Sequence, residues 1–118
     1  MISEKDLVSR SLEEMSQEVR ELLAESKRLR EEHGAARQRE EDLRRESVES
    51  RTLNPELAER LWQEAERLRE EGREMLRRAV EMELRAADVQ HRIEIRDQIE
   101  SLDSSDRVWR RASRAGRI

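Results

Sequence analysis

Two histidines, His33 and His91, are the side chains in this chain best suited to bind a metal ion or to transfer a proton. Asp88 precedes His91 by three residues, so the carboxylate and the imidazole share one face if this stretch is helical. Helical bundles with two-metal centres repeat such a pair on two helices and add further glutamates. Here the pair occurs once, with Asp in place of Glu, and we therefore expect no metal and no other cofactor.

Residues for acid–base or nucleophilic catalysis are also missing. The chain contains no cysteine, and its three glycines form no phosphate-binding loop. Its many carboxylates stand at helical spacing from arginines, as in Glu74 and Arg78, which is typical of solvated helix faces. Because a catalytic pair of carboxylates needs a site shielded from water, we expect that the protein is not an enzyme.

The composition favours long helices over a globular core. Charged residues make up 46% of the 118 residues, against about a quarter in ordinary domains. The only aromatic residues are Trp62 and Trp109, and a single proline and three glycines are few for the turns of a sheet. Strong helical periodicity of Leu, Ala, Arg and Glu distinguishes this chain from a disordered one. We therefore predict an all-α fold.

Heptad patterns in both halves of the chain predict two helices that pack along one seam. In the first half, the main apolar lane is Val8, Met15, Leu22, Leu29, Ala36 and Leu43. Its neighbouring lane turns polar after two residues and is Leu12, Val19, Ser26, His33, Glu40 and Ser47. In the second half, the small-residue lane is Ala58, Ala65, Gly72, Ala79 and Ala86, continued by Ile93. The large-residue lane beside it is Leu61, Leu68, Met75, Met82 and Val89. Small residues let helices approach closely, so these lanes favour a two-helix coiled coil.

A helix-start signal near the middle of the chain predicts where it reverses. Asn54 is a good N-cap and Pro55 a good first helical residue. We therefore predict a turn over about residues 51–54 and a second helix over about residues 55–103. If the chain reverses here, two residues that meet across the hairpin have sequence numbers that add up to about 106. This pairing brings the most apolar parts of the two helices together. We therefore predict an antiparallel hairpin.

The first helix is predicted over about residues 4–50. Ser3 is a candidate N-cap with Asp6 three residues later, which is close to a capping box. Ser11 with Glu14 offers a second box farther along the chain, but it lacks the apolar residue that should precede it. We therefore favour the start at Ser3 and treat residues 1–104 as one helical hairpin.

The second helix carries more apolar residues than one partner helix can cover. The residues that we assign to a partner-binding or dimer surface are Leu57, Leu61, Trp62, Leu76, Val80, Leu84, Ile95, Ile99 and Leu102. A small fold that leaves such residues uncovered has a marginal core. We therefore expect a homodimer that forms a four-helix bundle.

The C-terminal residues 105–118 are predicted to form a basic, Arg/Trp-rich tail or short helix, after the polar residues Asp103–Asp106 end the second helix. Residues 1–106 carry 20 basic and 29 acidic groups, a net charge of −9, whereas residues 107–118 carry five arginines and no acid, a net charge of +5. The tail residues that we expect to bind a partner are Arg107, Val108, Trp109, Arg110, Arg111 and Arg114. Such a tail suits an acidic protein surface or, as an alternative, the phosphates and bases of a nucleic acid.

These patterns predict a non-enzymatic coiled-coil module for protein–protein interaction, which acts as an adaptor, scaffold, chaperone or regulatory subunit. The alternative is a nucleic-acid-associated dimer that grips phosphates with its C-terminal tail. No apolar stretch approaches the roughly 18 residues that a membrane-spanning helix needs, and the N-terminus contains no signal-peptide pattern. We therefore expect a cytoplasmic protein without a membrane span.

Overall fold

The protein consists of two long helices. A computed structural model describes residues 11–115, except for the side chains of residues 106, 108, 110 and 112–115. Helix α1 spans Leu12–Ser50 and helix α2 spans Pro55–Ala115. No strand occurs between residues 11 and 115, so the all-α prediction is confirmed.

Helix α1 begins at Leu12 with Ser11 as its N-cap. The Glu14 amide donates to Ser11 Oγ at 3.0 Å, and the Met15 amide donates to the Ser11 carbonyl at 3.1 Å. Two glutamates in the first turn favour the positive end of the helix dipole. This is the second of the two predicted capping sites. The favoured one, at Ser3, lies outside the described residues.

The turn between the helices lies where the sequence predicts it. Helix α1 ends at Ser50 and α2 begins at Pro55. The Leu57 amide donates to Asn54 Oδ1 at 3.2 Å, and the Ala58 amide donates to the Asn54 carbonyl at 3.1 Å. Asn54 therefore caps α2, and Pro55 occupies a position whose missing amide hydrogen costs nothing.

The chain divides into two compact units. The hairpin unit is Glu21–Arg85, and the terminal unit contains residues 11–20 with residues 86–115. In the hairpin unit, Ser47 contacts Ala58 and His33 lies against Gly72. These pairs closely match the predicted sum of residue numbers, which confirms that the two helices of this unit run antiparallel.

The predicted lanes form the seam of the hairpin unit. The small-residue lane is buried from Ala58 to Ala79, and so are Leu29 and Leu43 of the main lane of α1. The other lane residues of this unit are at least half-buried. Ala65 and Ala79 have no accessible surface. Because a larger side chain at either position has no free volume, close helix packing depends on this small-residue lane.

A small apolar core holds the terminal unit together. Met15 of α1 packs with Val89 and Ile93 of α2, and the half-buried Leu12 and Val19 complete this cluster. All five residues belong to the predicted lanes. The α2 face that carries Val89 and Ile93 is therefore the face turned toward α1.

Helix α2 continues where we expected it to end near residue 103. Residues 103–106 are helical, and the helix reaches Ala115. Asp103 forms an ion pair with Arg107 at 3.3 Å, one helical turn later. This pair and the high helix propensity of the following Arg and Ala residues favour continuation over a break. The basic residues up to Arg114 therefore belong to α2 and do not form a separate short helix.

Candidate interaction surfaces

A buried serine and an ion pair join the two helices of the hairpin unit. Ser26 is buried and its hydroxyl donates to the Glu83 carboxylate. Arg30 donates two hydrogen bonds to the same carboxylate, both at 2.6 Å. The bonds from Arg30 and Ser26 lower the pKa of Glu83 from 4.5 to about 2. This carboxylate therefore stays charged, and its contacts fix the register of the helices rather than supply a proton donor.

A second buried serine lies near the turn. Ser47 Oγ donates to the Ala58 carbonyl oxygen at 2.6 Å, across the two helices. The short side chain satisfies its own hydrogen bond and leaves room for the small-residue lane opposite. Ser26 and Ser47 are thus polar residues of the seam, and the hydroxyl of each is hydrogen bonded to the opposite helix.

Trp62 lies at the turn end of the hairpin unit and is stacked by an arginine. The guanidinium carbon of Arg44 is 4.4 Å from the centroid of the Trp62 ring. Arg44 also donates to Glu66 at 2.9 Å and to Glu40 at 3.4 Å. One face of Trp62 is therefore occupied by a fixed cation, although the residue is still 38% exposed.

A cleft of about 380 Å³ opens in the hairpin unit beside Gly72. Its charged lining residues are His33, Arg37, Glu40, Glu41, Arg44, Arg69 and Arg73. Glu40 pairs with Arg44 at 3.4 Å and Glu41 with Arg37 at 3.9 Å. Each of the two carboxylates therefore pairs with an arginine of the lining: the Arg37–Glu41 pair is exposed, whereas the Arg44–Glu40 pair is largely shielded from water.

The hairpin unit exposes part of the predicted partner-binding surface. Val80 is exposed and Leu84 is 66% exposed, whereas Leu61 and Leu76 are half-buried. Leu61 therefore contributes mainly to the seam. The exposed large apolar residues of α2 in this unit are Leu57, Trp62, Val80 and Leu84, of which Leu84 is the most exposed.

The terminal unit carries the most exposed set of predicted residues. Ile95 is 42% exposed, Ile99 60%, Leu102 71% and Trp109 72%. Ile95, Leu102 and Trp109 follow one another at intervals of seven residues, and Ile99 lies one turn after Ile95. These four residues therefore form one apolar stripe along α2, which we call the terminal stripe.

The sequence alone assigned Trp109 to a separate tail and not to this stripe. The expected break at residues 103–106 hid the heptad spacing that links Trp109 to Leu102. The seven-residue interval between Leu102 and Trp109 was the sequence signal that could have placed both residues on one helix face. Leu53, which is 92% exposed in the turn, was also missed because it belongs to no heptad lane.

Basic residues near the end of α2 are solvent-accessible. Arg107 and Arg111 are both exposed, and Arg107 pairs with Asp103. The side chains of Val108, Arg110 and Arg114, which were also predicted to bind a partner, lie outside the described residues. The described arginines can approach an acidic surface, since exposed intrahelical ion pairs exchange at little energetic cost.

Among the described residues, neither histidine lies in a group of three possible metal ligands. Asp88, which shares a helix face with the exposed His91, forms an ion pair with Arg92 at 3.0 Å. Within the part of the chain that the structure describes, no three His, Asp or Glu residues converge as metal ligands.

The chain shows no significant match to known protein families, curated proteins or solved structures. Over the described residues, neither helix contains a stretch that is both long and apolar enough to cross a membrane.

Proposed function

We propose that this chain is a non-enzymatic coiled-coil module for protein–protein interaction, which serves as an adaptor, scaffold, chaperone or regulatory subunit. It acts through the exposed apolar residues of α2 and the basic residues at its C-terminal end. Self-association into a homodimer with a four-helix bundle belongs to this proposal. Its cytoplasmic location stays a prediction from the sequence.

One observation carries the proposal: four large apolar side chains of the terminal stripe stand exposed in line on one helix. Single exposed apolar residues are ordinary on protein surfaces, but several on one face of a highly charged helix mark an interaction site. Anchors at i, i+4 and i+7 are the pattern by which an amphipathic helix binds another helix or a groove. Burial of this stripe would supply affinity, and the surrounding charges would select the partner.

The alternative, binding of nucleic acid through the C-terminal end, is favoured by one specific observation. The indole of Trp109 is exposed on the same helical segment as Arg107 and Arg111. Aromatic rings and guanidinium groups both stack on bases, and arginines contact phosphates. The strongly acidic remainder of the chain opposes this binding, so we rank it second.

A capture experiment with the full-length chain separates these functions. The immobilised chain is exposed to an extract of its source cells, with and without nuclease, over a salt series. Three variants are compared. They are Ile99→Glu, the double variant Arg107→Gln/Arg111→Gln, and the control Arg60→Gln, which changes an exposed arginine in the hairpin unit.

The proposed function predicts that a protein partner is retained after nuclease treatment and is lost specifically in Ile99→Glu. Nucleic-acid binding predicts instead that capture is abolished by the double arginine variant and weakens steeply with salt, because bound phosphates release counterions. If Ile99→Glu captures the same proteins as the Arg60→Gln control, the apolar surface has no part in binding and the proposed function is wrong.

A further inference from the structure

We propose that the terminal stripe is covered by the same stripe of a second copy of this chain, with the two α2 helices antiparallel. This pairing rests on the proposed function and deepens it, because it names the occupant of the exposed surface and its orientation. The occupant is argued from the spacing of the apolar residues and from the charges beside them.

The spacing fits a second helix better than an irregular partner surface. Ile95, Leu102 and Trp109 occupy one heptad lane, and Ile99 occupies the lane beside it. Two adjacent lanes with a seven-residue repeat form a seam that a helix with the same repeat can fill. The α2 face bearing Val89 and Ile93 is already covered by α1, so this seam is a second one on the same helix.

A charged position of the seam selects the antiparallel orientation. Arg92 stands seven residues before Ile99 and thus shares its lane. In a parallel pair each lane residue would face its own copy, so Arg92 would face a second arginine. Like charges in facing positions are destabilising, and an antiparallel pair avoids this contact.

An antiparallel pair centred between Ile99 and Leu102 instead brings apolar residues together at its centre. Ile99 faces Leu102 of the partner subunit, and the symmetry repeats this layer. The same register places Arg92 beside Trp109 of the partner subunit, where a guanidinium can stack on the exposed indole. Both side chains are exposed in the single chain, so the contact requires no rearrangement of the core.

Residues that border the seam also have complementary charges in this register. Arg96 comes opposite Asp103 of the partner subunit, and the two-fold axis repeats this contact. Within one chain Arg96 pairs with Glu100 at 3.7 Å, and Asp103 pairs with Arg107 at 3.3 Å. Exposed pairs of this kind contribute little to stability, so they can be exchanged for contacts between the chains.

The first test is sedimentation velocity on the full chain over a concentration series. We expect a dimer whose dissociation constant rises by about thirtyfold or more in Leu102→Glu, as for a central residue of an interface. Leu23→Glu is the control, since Leu23 is an exposed leucine of α1 that we assign to no binding surface, and Leu84→Glu tests the exposed apolar surface of the hairpin unit. Circular dichroism checks that all three variants keep their helix content.

The second test reads the orientation and needs no destabilising variant. The chain has no cysteine, so Ile99→Cys and Leu102→Cys each introduce a single thiol. The two variants are mixed, one of them labelled with ¹⁵N, and are oxidised in a glutathione buffer. Mass spectrometry then counts mixed and same-residue disulfides. The antiparallel seam predicts far more mixed dimers than the half expected from random pairing.

Three results overturn the inference, and each bears differently on the proposed function. A wild-type chain that stays monomeric rules out the second copy, but capture of a partner through Ile99 would still support an interaction module. A dimer that is dissociated by Leu84→Glu and not by Leu102→Glu places self-association on another surface. Same-residue disulfides in the majority show a parallel pair.

Discussion

Replacement of two helical glycines by alanine gives a direct test of how the helices of the hairpin unit pack. Gly34 and Gly72 both lie inside helices, and neither has a positive φ angle. Alanine is favoured over glycine in a helix by about 1 kcal/mol. A Cβ atom at Gly34 would meet nothing within 4 Å, so Gly34→Ala should raise the free energy of unfolding by this full amount.

The same substitution at Gly72 meets the other helix. A Cβ atom there would lie 3.3 Å from Cδ2 and 3.9 Å from Nε2 of His33. The first distance is shorter than an ordinary van der Waals contact, so the imidazole must shift. Overpacking costs about 1–3 kcal/mol, which offsets or exceeds the gain in helix propensity. We therefore expect Gly72→Ala to leave stability unchanged or to lower it by up to about 2 kcal/mol.

Urea unfolding followed by circular dichroism measures both effects, at one fixed chain concentration because self-association would add to stability. Gly34→Ala should move the midpoint to higher urea with an unchanged slope, and it should raise the melting temperature by about 4 °C. In a His33→Ala background the contact is absent, so Gly72→Ala should now stabilise by about 1 kcal/mol. The double-mutant cycle isolates the packing between these two residues.

The reasoning is refuted if Gly72→Ala has the same effect in the presence and absence of the imidazole. Such a result means that His33 does not pack over Gly72 and that the glycine has another role. A Gly34→Ala variant less stable than the wild type would show that the exposed face at this position is covered in solution.

Three further predictions concern the hairpin unit. Leu29→Ala should lower the free energy of unfolding by about 2–5 kcal/mol, because Leu29 is buried in the seam, whereas Leu23→Ala at an exposed position should change it by less than about 0.5 kcal/mol in the same urea assay. The pKa of Glu83 in the folded protein, about 2, lies below its ordinary value of 4.5, so the stabilisation from its charged form is complete above pH 4.5 and is lost as the pH falls toward 2. The difference in unfolding free energy between wild type and Glu83→Gln should therefore shrink over this range. A difference that is constant from pH 7 to 2.5 would contradict the ion pair. Arg44→Gln should remove the cation stacked on Trp62 and lower the free energy of unfolding by about 0.5–1 kcal/mol. It should also change the fluorescence of Trp62, which is measured in a chain whose other tryptophan is replaced by phenylalanine.

Local signals in the sequence determined the helices, the turn and the seam lanes. Asn54 and Pro55 mark the start of α2 through hydrogen bonding and a fixed φ angle, both of which are properties of a few adjacent residues. The heptad lanes identify the buried face of each helix because a helix repeats its orientation nearly every seven residues. The sequence showed the short, polar seam residues as interruptions of these lanes, but it did not show which residues of the opposite helix they contact.

Only the tertiary structure decided which side chains meet and where α2 ends. Burial of Ser26 depends on Glu83 of the opposite helix, 57 residues away along the chain, and the close contact of His33 with Gly72 likewise needs both helices in register. The polar residues 103–106 can either end a helix or lie within one, so the sequence could not exclude that α2 continues to Ala115. The exposure of Leu102 and Trp109 also follows from the fold, because whether an apolar residue is covered depends on what packs beside it and not on its own neighbours in the sequence.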